Sequence, residues 1–576
     1  MPNPQKRGYL YGTFILAVGM AVVKLIGACF KIPLTNLLGG VGMSYFNVAY
    51  DLYYPLYALF VSGVPVAVSK LVSELVAKGQ LHQTSRLFHR ALWTFAGLGA
   101  LGMGLMLLGA EAFAQLVKNP QAAAAVRMLA PALLFGCLMA VLRGYWQGMH
   151  NMVPTAVSQV VEAVSKLCFG LGLAVLVTQV GLKQYRSGGQ VFGTLCQSLE
   201  EAHLALLPYS AAGAILGVTI STLCGTLYLI FWHFRHQKRQ PDFSPPRREE
   251  KQLTRQLLSI AIPVCIASVI SNLTSFIDLV SVMNRLEAAV ERAPALLLKQ
   301  YQGKIPSGVP LDRLPSYLYG CYSGLAVPLY NLTPALIGTV GISLLPAISA
   351  AWAVKNRRHL EQTATSALRI SALLAMPAGI GLCLLAEPIL GLLYASRPLE
   401  AAAIVSALRL MGLSSILLAM SLPVNAILQA TGRATIPVKL LFIGGILKLL
   451  CNFILVADPR LNIQAAPVGT LLCHAFVFFG GLWQMVQQTG LRLSGAEIFG
   501  KPLLAGLGCG GIAYLSHRFL FQHWGSEWKL VISIALGGIF YLFLVLLMKA
   551  LTKADISMLP GGEKFGNLLE KRSLLG

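Results

Sequence analysis

The chain has 576 residues, 56% of them hydrophobic and only 12% charged, with 45 Lys and Arg against 22 Asp and Glu. That much apolar surface cannot be hidden in a soluble core, which excludes a soluble enzyme and leaves an all-α polytopic membrane protein. The net charge of +23 then has a membrane origin rather than a nucleic-acid partner, because Lys and Arg accumulate in cytoplasmic loops.

A span needs about 20 mostly apolar residues. Candidates lie near 10–30, 46–68, 91–112, 124–146, 154–178, 206–233, 257–284, 318–350, 364–386, 400–429, 437–457, 464–488, 502–522 and 528–549, so about fourteen transmembrane helices are expected. Met1 to Arg7 is polar and leads straight into the first span with no Ala-x-Ala-like cleavage site, so no signal peptide is removed on this reading. Inside that span lie Lys24 and Lys31. A charge near the bilayer centre costs roughly 2.5–3.5 kcal/mol, so an intramembrane cation is a functional candidate by default. Seven residues make about two helical turns, or roughly 10 Å, and return to nearly the same face. The two ammonium groups are therefore expected to look into one space, with interfacial snorkelling as the alternative.

Asp51 in span two either pairs with one of these lysines or sits near the outer surface. Arg143 closes span four, either as a headgroup anchor or at the mouth of a cavity. Glu162 and Lys166 in span five form an i,i+4 pair or contribute to transport. Asp278 lies in the body of span seven, either as counter-charge to a lysine or as an ion or proton site. Lys439 and Lys448 on span eleven are the second half's cations, and His474 on span twelve reads as a hydrogen-bonded packing residue. Gly97-Leu-Gly99-Ala-Leu-Gly102 fits a dinucleotide pattern but lies inside a span, where small residues let helices approach. No G-x-x-x-x-G-K-[ST] motif and no metal-ligand spacing stand out, and the eleven cysteines read as small apolar fillers.

The two halves echo each other. Gln147-Gly-Met-His-Asn-Met-Val-Pro154 leads on to Lys166, and Gln429-Ala-Thr-Gly-Arg-Ala-Thr-Ile-Pro437 leads on to Lys448. Pro154 and Pro437 open helices, and Gly148 or Gly432 is expected to supply the turn before them. Two Ala-rich helices end near an acid, Glu111 or Glu387. The expected organisation is an N-lobe over 1–240, a basic cytoplasmic linker over 241–256, a C-lobe over 257–490, and two further helices with a cytoplasmic tail over 491–576. Loop charges put both termini on the cytoplasmic side.

The run Lys24-Leu-Ile-Gly-Ala-Cys-Phe-Lys31-Ile-Pro-Leu-Thr-Asn-Leu-Leu-Gly39-Gly-Val-Gly42, with Gly63-Val-Pro-Val-Ala-Val-Ser-Lys70-Leu-Val-Ser-Glu74, resembles the stage V sporulation protein B branch of the polysaccharide and lipid flippases. So do Leu142-Arg143-Gly-Tyr-Trp-Gln-Gly-Met-His-Asn-Met-Val-Pro154, Ser343-Leu-Leu-Pro346-Ala-Ile-Ser349 and Leu461-Asn-Ile-Gln-Ala-Ala-Pro-Val-Gly469-Thr470. The likeness runs from about residue 9 to 490. It extends to the superfamily of MurJ-type lipid II flippases, O-antigen flippases and multidrug and toxin extruders. The resemblance implies a cationic cavity reached by alternating access, with Lys24 and Lys31 at the positions of MurJ-type helix-one basic residues. Ile32 stands where those proteins carry an acid, and Tyr57 and Ala58 where they carry arginines, which implies a less basic cavity.

The function that this resemblance implies, and that the intramembrane cations suit, is a non-enzymatic flippase in the bacterial cytoplasmic membrane. Its substrate is an undecaprenyl-pyrophosphate-linked sugar, either peptidoglycan lipid II or a related polysaccharide unit. Lys24, Lys31, Asp51, Arg143 and Lys166 are the candidate substrate contacts, and Asp278 the candidate for ion coupling. No cofactor is expected beyond a coupling monovalent cation or proton. Membrane lipids are further partners, cell-wall or spore-cortex synthases are conceivable ones, and no nucleic acid is involved. The alternatives are a multidrug or cation antiporter on the same fold, which predicts a carboxylate-dominated cavity, and a non-transporting scaffold for sporulation or wall-synthesis enzymes.

Overall fold

The computed structural model describes residues 4–236, 247–306, 308–491, 493–520, 526–552 and 555. Residues 241–246 of the expected linker and the tail beyond 555 lie outside the described residues. Among the described residues the chain is almost wholly helical apart from a two-stranded hairpin, β1 (Gln190–Val191) with β2 (Thr194–Leu195). Among the described residues, twelve helical stretches are long and apolar enough to cross a membrane. Two features distinguish them from the roughly fourteen separate spans expected from the sequence.

The first is that expected spans one and two follow each other directly as the two limbs of α1 (Pro4–Phe60), divided at Gly39, whose φ 63° and ψ −172° are not helical. Without a Cβ, glycine occupies this region at little cost, so the chain reverses there without a connecting loop. The second is that the expected span 318–350 is broken into α11 (Leu314–Cys321), a π turn (Tyr322–Ala326), α12 (Val327–Tyr330) and α13 (Leu332–Ala353). Pro334 has no N–H to offer the carbonyl four residues back, which favours a break beside Asn331.

Two compact units result: Met1–Glu287 with Pro306–Gly320, and Ala288–Ile305 with Cys321–Gly576. The first contains α1, α2 (Val64–Ala77), α3 (Leu81–Leu116), α4 (Ala123–Leu129), α5 (Pro131–Gly148), α6 (Val153–Ser165), α7 (Leu171–Gly188), α8 (Leu199–His236) and most of α9 (Arg247–Arg292). The division expected from the sequence assigns α9 to the C-lobe. Its contacts are instead with the first unit, because bonds are made along its whole length. Arg90 Nε donates to Thr254 Oγ1 at 2.8 Å, the Gly63 amide to Cys265 Sγ at 3.3 Å, and Asn284 Nδ2 to the Leu116 carbonyl at 3.1 Å. The small residues of the declined dinucleotide pattern serve packing: a Cβ at Gly99 would meet Cys137 at 3.0 Å, and one at Gly102 would press on Phe60.

The second unit also contains α10 (Pro294–Gln300), α14 (Arg357–Leu384), α15 (Ala386–Leu393), α16 (Pro398–Ala430), α17 (Thr435–Cys451), α18 (Ala466–Thr489), α19 (Lys501–Leu515) and α20 (Ser526–Leu547). Its core lies among α13, α14, α16 and α18, with α19 packed on α14 and α20 on α19. Tyr301, just after α10, donates to Asn462 Oδ1 at 2.6 Å and accepts from Gln464 Nε2 at 3.0 Å, fastening this segment to the chain before α18. After α20 the chain returns to bury Asp555 fully, 3.2 Å from Arg369 of α14.

The internal repeat has physical counterparts. Each half carries a π turn, Lys166–Gly170 after α6 and Asn452–Val456 after α17. Each of the two acids at the ends of the Ala-rich helices meets an arginine of the next long segment: Glu111 pairs with Arg127, and Glu387 lies 3.7 Å from Arg409. Gly432 takes the left-handed turn before α17, with φ 82°, as its type suggests. Gly148 does not take the matching one. There His150 holds φ 60°, while Gly148 lies within α5, where a Cβ would crowd Val72 at 2.6 Å.

Candidate functional site

The kink at Gly39 folds the second part of α1 back beside its first part, and a Cβ at Gly320 of α11 would collide with the Gly40 carbonyl at that kink. Residues on the two limbs therefore meet. Lys31 Nζ donates to Asn47 Oδ1 at 2.6 Å and lies 4.9 Å from the centre of the Phe46 ring. Tyr319 of α11 donates its hydroxyl to Asp51 Oδ2 at 2.7 Å.

Lys166 enters the same neighbourhood from the π turn after α6. Its ammonium lies 5.0 Å from the Phe30 ring and 4.9 Å from the Tyr50 ring. A π turn inserts one residue and rotates the rest of the helix by about 100°, and such turns recur at functional sites. Two glycines make room for it: a Cβ at Gly170 would run into Phe30 at 2.6 Å, and one at Gly217 of α8 would collide with the Gly170 backbone. Phe30, Phe46 and Tyr50 form a continuous aromatic group, with centroid separations of 6.1 and 5.0 Å. Lys166 and Asp51 are the charged neighbours of Lys31. Two ammonium groups from distant parts of the chain are thus held on ring faces, an arrangement worth up to ~2 kcal/mol per contact when desolvated.

The rings continue along α1. Tyr50, Tyr53, Tyr54 and Tyr57 stand at i, i+3, i+4 and i+7, with Tyr50–Tyr54 centroids 5.3 Å apart and Tyr53–Tyr57 centroids 5.4 Å apart. The Tyr50 hydroxyl and Gln159 Oε1 of α6 are buried with no hydrogen-bond partner among the described residues. Beyond this wall Arg143 donates from Nε to Ser158 Oγ at 2.9 Å and from Nη2 to Glu162 Oε2 at 3.0 Å. Its side chain is 12% exposed, so it braces α5 against α6 instead of reaching out as a headgroup anchor.

The structure therefore brings Lys31, Lys166 and Asp51 together, and binds Arg143 to Glu162 next to them. It does not make Lys24 and Lys31 an equivalent pair: Lys24 is exposed, two turns earlier, while Lys31 is half-buried. Glu162 reaches Arg143 rather than serving only as an i,i+4 partner for Lys166. Asp278 is half-buried on α9, two residues from Phe276, whose ring stacks on Phe113 of α3 at 6.0 Å. In the second unit Lys448 is 4% exposed beside His474, which stacks on Tyr330 at 6.3 Å, and Lys439 is exposed. Sequence reasoning misses Asn47, Phe46, Tyr50 and Tyr319. The tyrosine spacing alone marks one face of a helix, and on an apolar chain such a stripe reads as core. Among the described residues no group of three or more His, Cys, Asp or Glu side chains is placed to hold a metal ion.

The family model for polysaccharide biosynthesis protein matches residues 9–200, and that for lipid II flippase MurJ matches residues 321–546. Three Bacillus subtilis (strain 168) proteins are similar over nearly their whole length. They are the uncharacterized membrane protein YabM (25% identical, covering 99% of this chain and 98% of that protein), stage V sporulation protein B (25%, 96% and 98%) and lipid II flippase MurJ (24%, 96% and 97%). Among solved structures, lipid II flippase MurJ in an inward closed conformation superposes with TM-score 0.65 at 13% identity, over 93% of this chain and 98% of that one. An inward-facing multidrug resistance MATE family transporter of the MOP superfamily superposes with TM-score 0.59 at 15% identity, over 83% and 98%. The fold is thus the one shared by these MurJ and MATE structures. The first part of the chain thus resembles polysaccharide biosynthesis proteins, the second part the lipid II flippase MurJ, and the whole chain is similar to stage V sporulation protein B and MurJ.

Proposed function

We propose that this protein moves an undecaprenyl-pyrophosphate-linked sugar precursor across the bacterial cytoplasmic membrane by alternating access, with both termini in the cytoplasm. The observation that carries the reading is the pair of ammonium groups, Lys31 and Lys166, held on the Phe30, Phe46 and Tyr50 rings of one unit. A pyrophosphate cannot enter hydrocarbon unaided, and two cations in a low-dielectric site replace its water with strong charge-assisted bonds. Lysine suits cargo that must be released, because it offers a compact point charge instead of a bidentate fork. The buried Tyr50 hydroxyl supplies a further donor for a phosphate oxygen. Asp51 offsets part of the positive charge, and Arg143, tied to Glu162, borders the site. Exposed Lys24, about 10 Å along the same helix, makes the first contact with the headgroup.

The drive is a coupling monovalent cation or proton acting at Asp278. Replacing Asp278 with Asn is expected to remove the dependence of transport on the ion gradient while leaving substrate binding intact. Unchanged gradient dependence would refute this coupling role. The flippase reading itself is tested by translocation of lipid-linked precursor in proteoliposomes. Lys31→Gln and Lys166→Gln together are expected to abolish it at normal protein level. Wild-type translocation by that double variant would remove the basis of the reading.

A further inference from the structure

A second charged site lies in the C-terminal part of the chain, apart from the cluster around Lys31. A cavity of about 670 Å³ is lined by Glu387 of α15, Arg409 of α16, Tyr514, His517 and Arg518 at the end of α19, and Lys529 of α20. Arg409 Nη2 lies 3.7 Å from Glu387 Oε2, and Arg518 Nη1 donates to Tyr514 Oη at 3.0 Å. Lys529 and Glu387 are both charged neighbours of His517. With His517 neutral, one carboxylate faces three permanent cations, and the wall carries an excess of positive charge.

The repeat shows where this excess comes from. In the first unit the matching acid–arginine pair, Glu111 with Arg127, is exposed and by itself neutral. In the second unit the same kind of pair is met by α19 and α20, the two helices outside the repeat, which add His517, Arg518 and Lys529. These helices thus turn a neutral surface pair into a cationic cavity. Exposed aromatic residues adjoin the cavity's cations in the chain: Trp528, 67% exposed, precedes Lys529, and Phe519, 61% exposed, follows Arg518, whose guanidinium lies 5.7 Å from the Phe519 ring. Tryptophan in such a position marks the headgroup level of a bilayer. Farther along α20, Ile534 and Ile539 are exposed, as contact with acyl chains requires.

We propose that this cavity binds the phosphodiester headgroup of an anionic glycerophospholipid, at the membrane face opposite the C-terminal tail. Arg518 and Lys529 hold the phosphate, and Arg409 stays partly neutralised by Glu387. A lipid is favoured over a free anion because the cavity's wall includes Leu384, Leu385, Pro388 and Leu392 and its cations adjoin the exposed Trp528 and Phe519. The inference does not depend on which cargo the protein moves.

The test is native mass spectrometry of the full-length protein in detergent, titrated with phosphatidylglycerol, phosphatidylcholine or inorganic phosphate. Phosphatidylglycerol is expected to bind in preference to phosphatidylcholine. A cation near an anionic lipid contributes about five-fold in affinity, so Arg518→Gln with Lys529→Gln should weaken phosphatidylglycerol binding about 25-fold. Arg518→Lys with Lys529→Arg, which keeps both charges, should retain it. Unchanged binding in the Gln variant, or equal loss in both variants, would overturn the proposal. Displacement of the lipid by inorganic phosphate at comparable concentration would show a free-anion site and overturn the lipid assignment.

Discussion

At the scale of single residues, the proposed chemistry rests on charges that the fold has partly buried and given defined partners. Lys31 has Asn47 and Phe46, Lys166 has Phe30 and Tyr50, and Asp51 has Tyr319. These partners fix the ammonium positions, so the rings should matter nearly as much as the lysines. Tyr50→Leu keeps the volume apolar but removes both a quadrupole and a buried hydroxyl, and it is expected to weaken precursor binding several-fold with little change in thermal stability. Equal binding in that variant would show that the tyrosine is only filler. The buried Arg369–Asp555 pair predicts a different outcome. Asp555→Ala strands a guanidinium that is 7% exposed, at a cost of ~3–5 kcal/mol, and the melting temperature in detergent should fall clearly. An unchanged melting temperature would show that the guanidinium finds water or another partner.

At the scale of elements, much of the arrangement was legible in the sequence, and the exceptions have physical causes. Intramembrane charge made Lys31, Asp51 and Lys166 visible, since each is too costly to retain idly. Pro154, Pro437 and Gly432 marked the loops because proline and glycine restrict or free the backbone in known ways. The π turn at Lys166–Gly170 was not legible, because one inserted residue barely disturbs an apolar period while rotating the next side chains. A reversal between spans one and two was legible, but its place at Gly39 was hidden in a run of glycines, although it is what brings Asn47 to Lys31. The packing of α9 with the first unit was obscured by the basic linker, whose charge suggested a boundary that the helix contacts do not follow. Because Gly217 touches the π-turn backbone, Gly217→Ala should overpack this junction, cost ~1–3 kcal/mol and displace Lys166. Loss of transport with Lys31 and Lys166 both intact would confirm that helix geometry sets the site, and full activity would deny it.

At the scale of the whole molecule, an internal repeat builds two units of similar local devices with different contents. Both carry an acid–arginine pair and a π turn. The first gathers its lysines among aromatic rings, while the second buries Lys448 beside His474 and receives α19 and α20. The excess of Lys and Arg in alternate loops predicts that a reporter fused to either terminus is active only in the cytoplasm; activity outside would reverse the orientation. The proposed function requires that Lys31 and Lys166 together hold a pyrophosphate. The most direct measurement is equilibrium binding of an undecaprenyl-pyrophosphate-linked sugar to the purified full chain and to its Lys31→Gln, Lys166→Gln and double variants. A hydrogen bond to a charged group contributes ~1.5–3 kcal/mol, so each single change should weaken binding at least ten-fold, and a linked sugar lacking the pyrophosphate should bind weakly to all four proteins. Wild-type affinity in the double variant, or equal affinity for the uncharged analogue, would contradict the account.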